Sequence, residues 1–119
     1  MARKTKAKDE KAEAADAAGL GIPKPAAVCA DRNCPFHGKL RLHGRRFIGT
    51  VSSAKMRRTA SISIDRTAFI RKYERSERRR SDIKVHNPEC ISAKEGDKVE
   101  AVECRPLSKT KHFVIVKKL

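Results

Sequence analysis

"RRFIGTVSSAKMRRTASISID", residues 45–65, is the stretch that decides the fold. In its first half Phe47, Gly49 and Val51 alternate with Ile48, Thr50 and Ser52. In its second half Ala60, Ile62 and Ile64 alternate with Thr59, Ser61 and Ser63. A period of two places one set on each face of a pleated strand, so both halves predict half-buried strands. "AKMRR" between them is a basic hairpin loop.

Working outward, "RTAFIRKYERSERRR" (66–80) supports two readings. Phe69, Ile70 and Tyr73 sit at helical spacing, and Glu74 with Arg78 would form a favourable i,i+4 pair. A long strand running on from Ile64 into a charged hairpin fits as well, and periodicity does not decide. "SDIKVHNP" is a short strand stopped by Pro88. "NPECISAKEGD" predicts a short helical turn with Asn87 as N-cap, Pro88 at the first helical position and Gly96 at its end. "KVEAVECRPL" and "HFVIVKKL" supply two further strands. Five strands with a short helical turn between the third and fourth predict an all-β, five-stranded Greek-key barrel of the OB type.

Upstream, residues 19–43 hold three of the five prolines and predict an extended N-terminal arm laid across a surface. Residues 1–18 contain nothing that builds a core and predict a flexible charged tail. Its basic and acidic side chains nearly cancel. The barrel is expected over 44–119, and most of the net charge lies outside the tail.

That charge bounds the function. With 29 basic against 14 acidic residues in 119, the formal charge is +15. Such a chain repels itself, and an anionic partner relieves the repulsion. Nucleic acid is the first candidate and an acidic membrane surface the second. No stretch is apolar enough to span a bilayer, and the N-terminus lacks a signal peptide's apolar core. A cytoplasmic chain keeps its four cysteines as thiols or metal ligands.

Cations cluster at Lys55, Arg57 and Arg58, again at Arg71, Lys72, Arg75, Arg78, Arg79 and Arg80, and again at Lys109 and Lys111. A solvated charged face is the ordinary fate of such runs. Here few acids interleave, which favours an electrostatic footprint for nucleic acid. Stacking rings are scarce: four Phe, one Tyr and no Trp. Phe47, Phe69 and Phe113 fit core positions, leaving Phe36 and Tyr73 as stacking surfaces. Many cations with few rings suit gripping folded RNA by its backbone rather than reading single strands.

"CADRNCPFH" places Cys29, Cys34 and His37 within nine residues, and "HNPEC" places His86 four residues before Cys90. Four such groups can hold zinc, but the first two cysteines are widely spaced and no second matched pair follows. The spacing therefore predicts no metal and no cofactor, with the cluster anchoring the arm. Cys104, in a strand, is expected to be a small buried hydrophobe. No phosphate loop, nucleophile elbow or paired acids appear, so no catalytic residue and no small-molecule substrate are expected.

"GDKVEAVECRPLSKTKHFVIV" closely resembles the C-terminal signature of the small-subunit ribosomal protein seventeen family, and "GTVSSAKMRRT" looks like its first hairpin. "CPFHG" and "RKYERSERRRSDIKVHNPEC" resemble its archaeal and eukaryotic branch. The resemblance covers residues 19–119. It implies an OB-type barrel, the extended hairpin over 66–80 rather than a helix, and a structural constituent of the small subunit that binds small-subunit ribosomal RNA early in assembly. Implied partners are that RNA and neighbouring small-subunit proteins, with no membrane.

Carried over by position, the first loop gives Lys55, Met56, Arg57, Arg58 and Thr59, and the middle gives Lys72, Tyr73, His86 and Asn87. The last loop gives Arg105, Pro106, Leu107, Ser108, Lys109, Thr110 and Lys111. Arg45, Arg46, Arg75, Arg78, Arg79 and Arg80 complete the candidate RNA-binding set. The alternative is a free OB-fold module, zinc-bearing or not, acting on transient single strands.

Overall fold

The computed structural model describes residues 20–119, so the tail expected over 1–18 lies outside the described residues. Five strands follow in order: β1 Leu42–Ser53, β2 Thr59–Ile70, β3 Arg75–His86, β4 Lys98–Cys104 and β5 Phe113–Lys118. They close into a barrel in the order β1-β2-β3-β5-β4, with β4 returning to β1. This is the OB arrangement expected from the sequence. All pairings are antiparallel except β3 with β5, which meet in parallel at His86 and Val114.

The alternation in 45–65 is realised as predicted. Val51, Ala60 and Ile62 face the interior with Val85, Val99, Ala101 and Ile115, forming the barrel core. Gly49 lies where β1 passes close against β2. A Cβ there would stand 2.4 Å from the Ile62 side chain and 2.8 Å from the Ser63 carbonyl, so the crossing requires glycine.

A second core explains why Val114, Ile115 and Val116 run on without alternating. Ile115 points into the barrel, whereas Val114 and Val116, with Val102 and Cys104, point outward and are covered by Ile22, Cys34, Phe36 and Leu40 of the arm. A strand buried on both faces needs a continuous apolar run. The extended arm is thus packed against β4 and β5, and each large arm side chain buried there contributes about 1.5–3 kcal/mol.

The segment 66–80 is strand and hairpin, not helix. β2 and β3 pair over twelve rungs from Thr59–His86 to Ile70–Arg75. A 3₁₀ turn at Arg71–Tyr73 closes the tip, followed by Glu74 in the left-handed region at φ 50°. β1 accompanies β2 only as far as Ser63. The ladder therefore projects beyond the barrel, giving a molecule 75 × 33 × 24 Å in extent. Its radius of gyration is 17.9 Å, against about 13 Å for a compact domain of 100 residues.

Between β3 and β4 the helical turn is a single one, with the Ser92 N–H donating to the Pro88 carbonyl at 2.9 Å. Asn87 does not cap it. Its amide spans the loop instead, donating to the Ala93 carbonyl at 3.0 Å and accepting the Ala93 N–H at 3.1 Å.

Candidate nucleic-acid interface

Two cationic regions lie at opposite ends of the β2–β3 ladder. The first is where that ladder begins, at Thr59 and His86. The β1–β2 loop and the β4–β5 loop meet there through one bond, as Lys111 Nζ donates to Thr59 Oγ1 at 3.1 Å. The β4–β5 loop closes on itself: the Leu107 N–H reaches the Lys111 carbonyl at 2.9 Å, and Ser108 Oγ accepts the Lys111 N–H at 3.1 Å. A serine hydroxyl thus shapes the turn where Gly or Asn was missing from the sequence. Lys109 and Thr110 are left exposed at its apex, with Arg105 and Pro106 exposed at its base.

Arg58 is fixed more firmly than its neighbours. It takes a left-handed backbone at φ 51°. Its guanidinium donates to Glu89 at 2.8 Å through Nε and lies 3.9 Å from Asp31. Lys55, Met56 and Arg57 are exposed beside it, and Asn87 is half-buried behind.

Thr59 and His86 depart from the sequence reading. Both are buried, His86 with only 2% of its surface exposed, so neither side chain is presented to a partner. His86 instead meets Asp31 of the arm, Nε2 to Oδ2 at 2.6 Å. Burial pushes the His86 imidazole below its ordinary value, overcoming the opposite pull of Asp31. Burial would raise Asp31, but the Asn33 N–H, His86 and Arg58 together hold it below the usual carboxylate range. The pair is a neutral imidazole donating to a carboxylate, and it braces the cationic surface from beneath. Asp31 was absent from the sequence candidates because its partner lies 55 residues away.

The second region is the projecting ribbon. Residues 71–80 are exposed throughout. Arg79 is held by Glu77 at 3.1 Å and Arg80 by Asp65 at 3.3 Å. Arg66, Arg71, Lys72, Arg75 and Arg78 have no acidic partner among the described residues. Exposed pairs such as these contribute little to stability, so the cations remain available to an external anion.

The aromatic assignments change places. Phe36 is buried in the arm core, whereas Phe69 is 63% and Tyr73 65% exposed on the ribbon. Phe47 and Phe113 do pack together, edge to face at 5.2 Å. On the barrel wall, Arg46 reaches Glu100 at 3.8 Å and the Arg45 N–H donates to Glu103.

Of the cysteine and histidine candidates, Cys29, Cys34, His37 and Cys90 converge, their ligand atoms all within 4.8 Å of one another. His86 stands apart on Asp31. Cys104 is buried, as its place in a strand suggested.

One expected result follows from the loop geometry. Lys109→Gln should leave thermal stability within about 0.5 kcal/mol, as for other surface changes. Lys111→Gln should cost about 1 kcal/mol, because it removes the bond to Thr59. Equal melting temperatures for the two variants would show that the Lys111–Thr59 bond does not tie the loops.

The sequence model for ribosomal protein S17 matches residues 49–117. The chain is 54% identical over 101 residues to the small ribosomal subunit protein uS17 of Methanopyrus kandleri, covering 85% of this chain and 86% of that one. It is 48% identical over 101 residues to the uS17 of Methanocaldococcus jannaschii, with the same coverage of both chains. To the uS17 of Methanococcus vannielii it is 49% identical over 100 residues, covering 84% and 92%. A closed five-stranded barrel, a matched family model and relatives sharing about half their residues over most of the chain lead to one statement: this protein belongs to the ribosomal protein S17 family.

Proposed function

We propose that the protein is a structural constituent of the small ribosomal subunit that binds folded small-subunit ribosomal RNA and supports subunit assembly. The observation that carries this reading is the separation of the two cationic regions. Eleven residue steps at about 3.3 Å place the loop end and the ribbon tip about 36 Å apart. A reach of that size suits two separated stretches of folded RNA backbone better than one short single strand.

Lys55, Arg57 and Lys109 at the loop end, and Arg66, Arg71, Lys72, Arg75 and Arg78 on the ribbon, are the groups we assign to phosphates. Phe69 and Tyr73 offer flat faces to bases splayed from the RNA. Phosphate contacts set position without reading sequence, so affinity should follow RNA shape. Neighbouring small-subunit proteins are the expected further partners, and the ribosome in the cytoplasm the expected location.

In a density gradient the protein should travel with small ribosomal subunits. With six to eight phosphates engaged, raising salt from about 50 to 200 mM should weaken binding to small-subunit RNA by roughly a thousandfold. Migration with free protein, or a flat salt dependence, would overturn the reading.

A further inference from the structure

Cys29, Cys34 and His37 come from the arm, and Cys90 from the single turn after β3, so no local motif assembles the group. The fold brings them to the spacing of a coordination sphere. The Cys29 sulfur lies 3.4 Å and the Cys34 sulfur 3.5 Å from His37 Nδ1. Cys34 and Cys90 sulfurs are 3.6 Å apart, across 56 residues of sequence. In a tetrahedron with Zn–S about 2.3 Å and Zn–N about 2.0–2.1 Å, ligand atoms stand about 3.8 Å apart for two sulfurs and about 3.6 Å for sulfur and nitrogen. These three edges of the cluster match those of a zinc tetrahedron, and all six lie within 4.8 Å.

We propose that Cys29, Cys34, His37 and Cys90 bind one zinc ion in a closed, structural Cys₃His site that fastens the arm to the barrel.

Backbone N–H groups and cationic side chains surround the sulfurs. The backbone N–H groups of His37 and Phe36 lie beside Cys34, and those of Asp31 and Cys90 beside Cys29. Such outer contacts orient ligands and offset sulfur charge. The turn is tight: the Gly38 N–H donates to the Cys34 carbonyl at 2.9 Å. A Cβ on Gly38 would fall 2.3 Å from the Arg32 carbonyl oxygen. His37 Nε2 is buried with no hydrogen-bond partner among the described residues, so the ring engages its surroundings through Nδ1, the edge facing the sulfurs. Arg32, Lys39 and Arg105 line the same cleft as Cys29 and His37, placing positive charge at the rim of the cluster.

Binding is balanced as Zn²⁺ exchanged for three thiol protons, which pass to solvent, leaving a cluster of net charge −1 with a neutral imidazole. Soft sulfur ligands with one imidazole select zinc over the harder divalent ions. The lack of a second local cysteine pair, which argued against metal in the sequence, is resolved by the long-range ligand.

The test uses the full chain, purified reduced and without chelator. Elemental analysis should find one zinc per chain. Cobalt(II) added to zinc-stripped protein should give thiolate charge-transfer and tetrahedral ligand-field bands, abolished by an equivalent of zinc. Cys34→Ser and Cys90→Ser should each lose the metal, whereas Cys104→Ser should keep it. If the serine variants fail to fold, His37→Cys remains decisive: it should retain zinc and strengthen the cobalt charge-transfer band. Zinc-free protein that gives no cobalt bands would overturn the proposal, as would zinc kept undiminished by Cys34→Ser and Cys90→Ser.

Discussion

His86→Leu should destabilise the protein by about 3 kcal/mol, on the order of 15 °C in Tm for a domain of this size. Leucine fills similar space, so little cavity forms. The loss comes from Asp31, a carboxylate only 5% exposed, stripped of the shortest hydrogen bond it accepts. The Asn33 N–H at 3.0 Å and Arg58 at 3.9 Å remain, but neither replaces it.

The same pair sets a pH dependence. His86 is held below the ordinary 6.5 in the fold. As pH falls through 6.5 the unfolded chain therefore takes up the proton first, and stability declines down to the lower folded value. Asp31, held below 3.8, stabilises above that value, and its contribution disappears as pH falls through its still lower folded one. Both effects weaken the fold in acid. Denaturant titrations at several pH values should show the His86→Leu variant without the decline that begins near 6.5. A variant as stable as the parent would mean that Asp31 finds another donor.

Changing Arg66, Arg71, Lys72, Arg75 and Arg78 together to Gln should reduce affinity for small-subunit ribosomal RNA by on the order of a thousandfold at low salt. The slope of log affinity against log salt should shrink by about 0.9 for each phosphate that is no longer neutralised. None of the five belongs to either hydrophobic core, so the barrel should melt where the parent does. Unchanged affinity would assign RNA binding to the loop end alone and leave the ribbon to a protein neighbour.

These two expectations rest on features of different legibility. The five strands were readable because alternation in 45–65 is a local signal, and the doubly buried β5 showed itself as an unbroken apolar run. The ribbon was not readable from periodicity: Phe69 carries the same hydrophobic signal inside or outside a barrel. Whether it is covered depends on where β1 stops accompanying β2. Phe36 erred the other way, since a Pro-rich arm gives no sign of the face it will cover. The Asp31–His86 pair and the Cys90 contribution to the cluster are tertiary facts, each bridging more than fifty residues. No spacing rule reaches that far.

The projecting ribbon has a consequence for the protein before it meets any partner. Beyond Ser63 on β2, and short of His86 on β3, both outer edges lack a neighbouring strand among the described residues. Open edges of this kind invite a second copy to add a strand, the first step of aggregation. Seven basic residues against three acidic ones over 65–80 make two such ribbons repel each other. The arginines we assign to phosphate would thus also serve as gatekeepers of solubility, keeping newly made chains apart until an anion covers them.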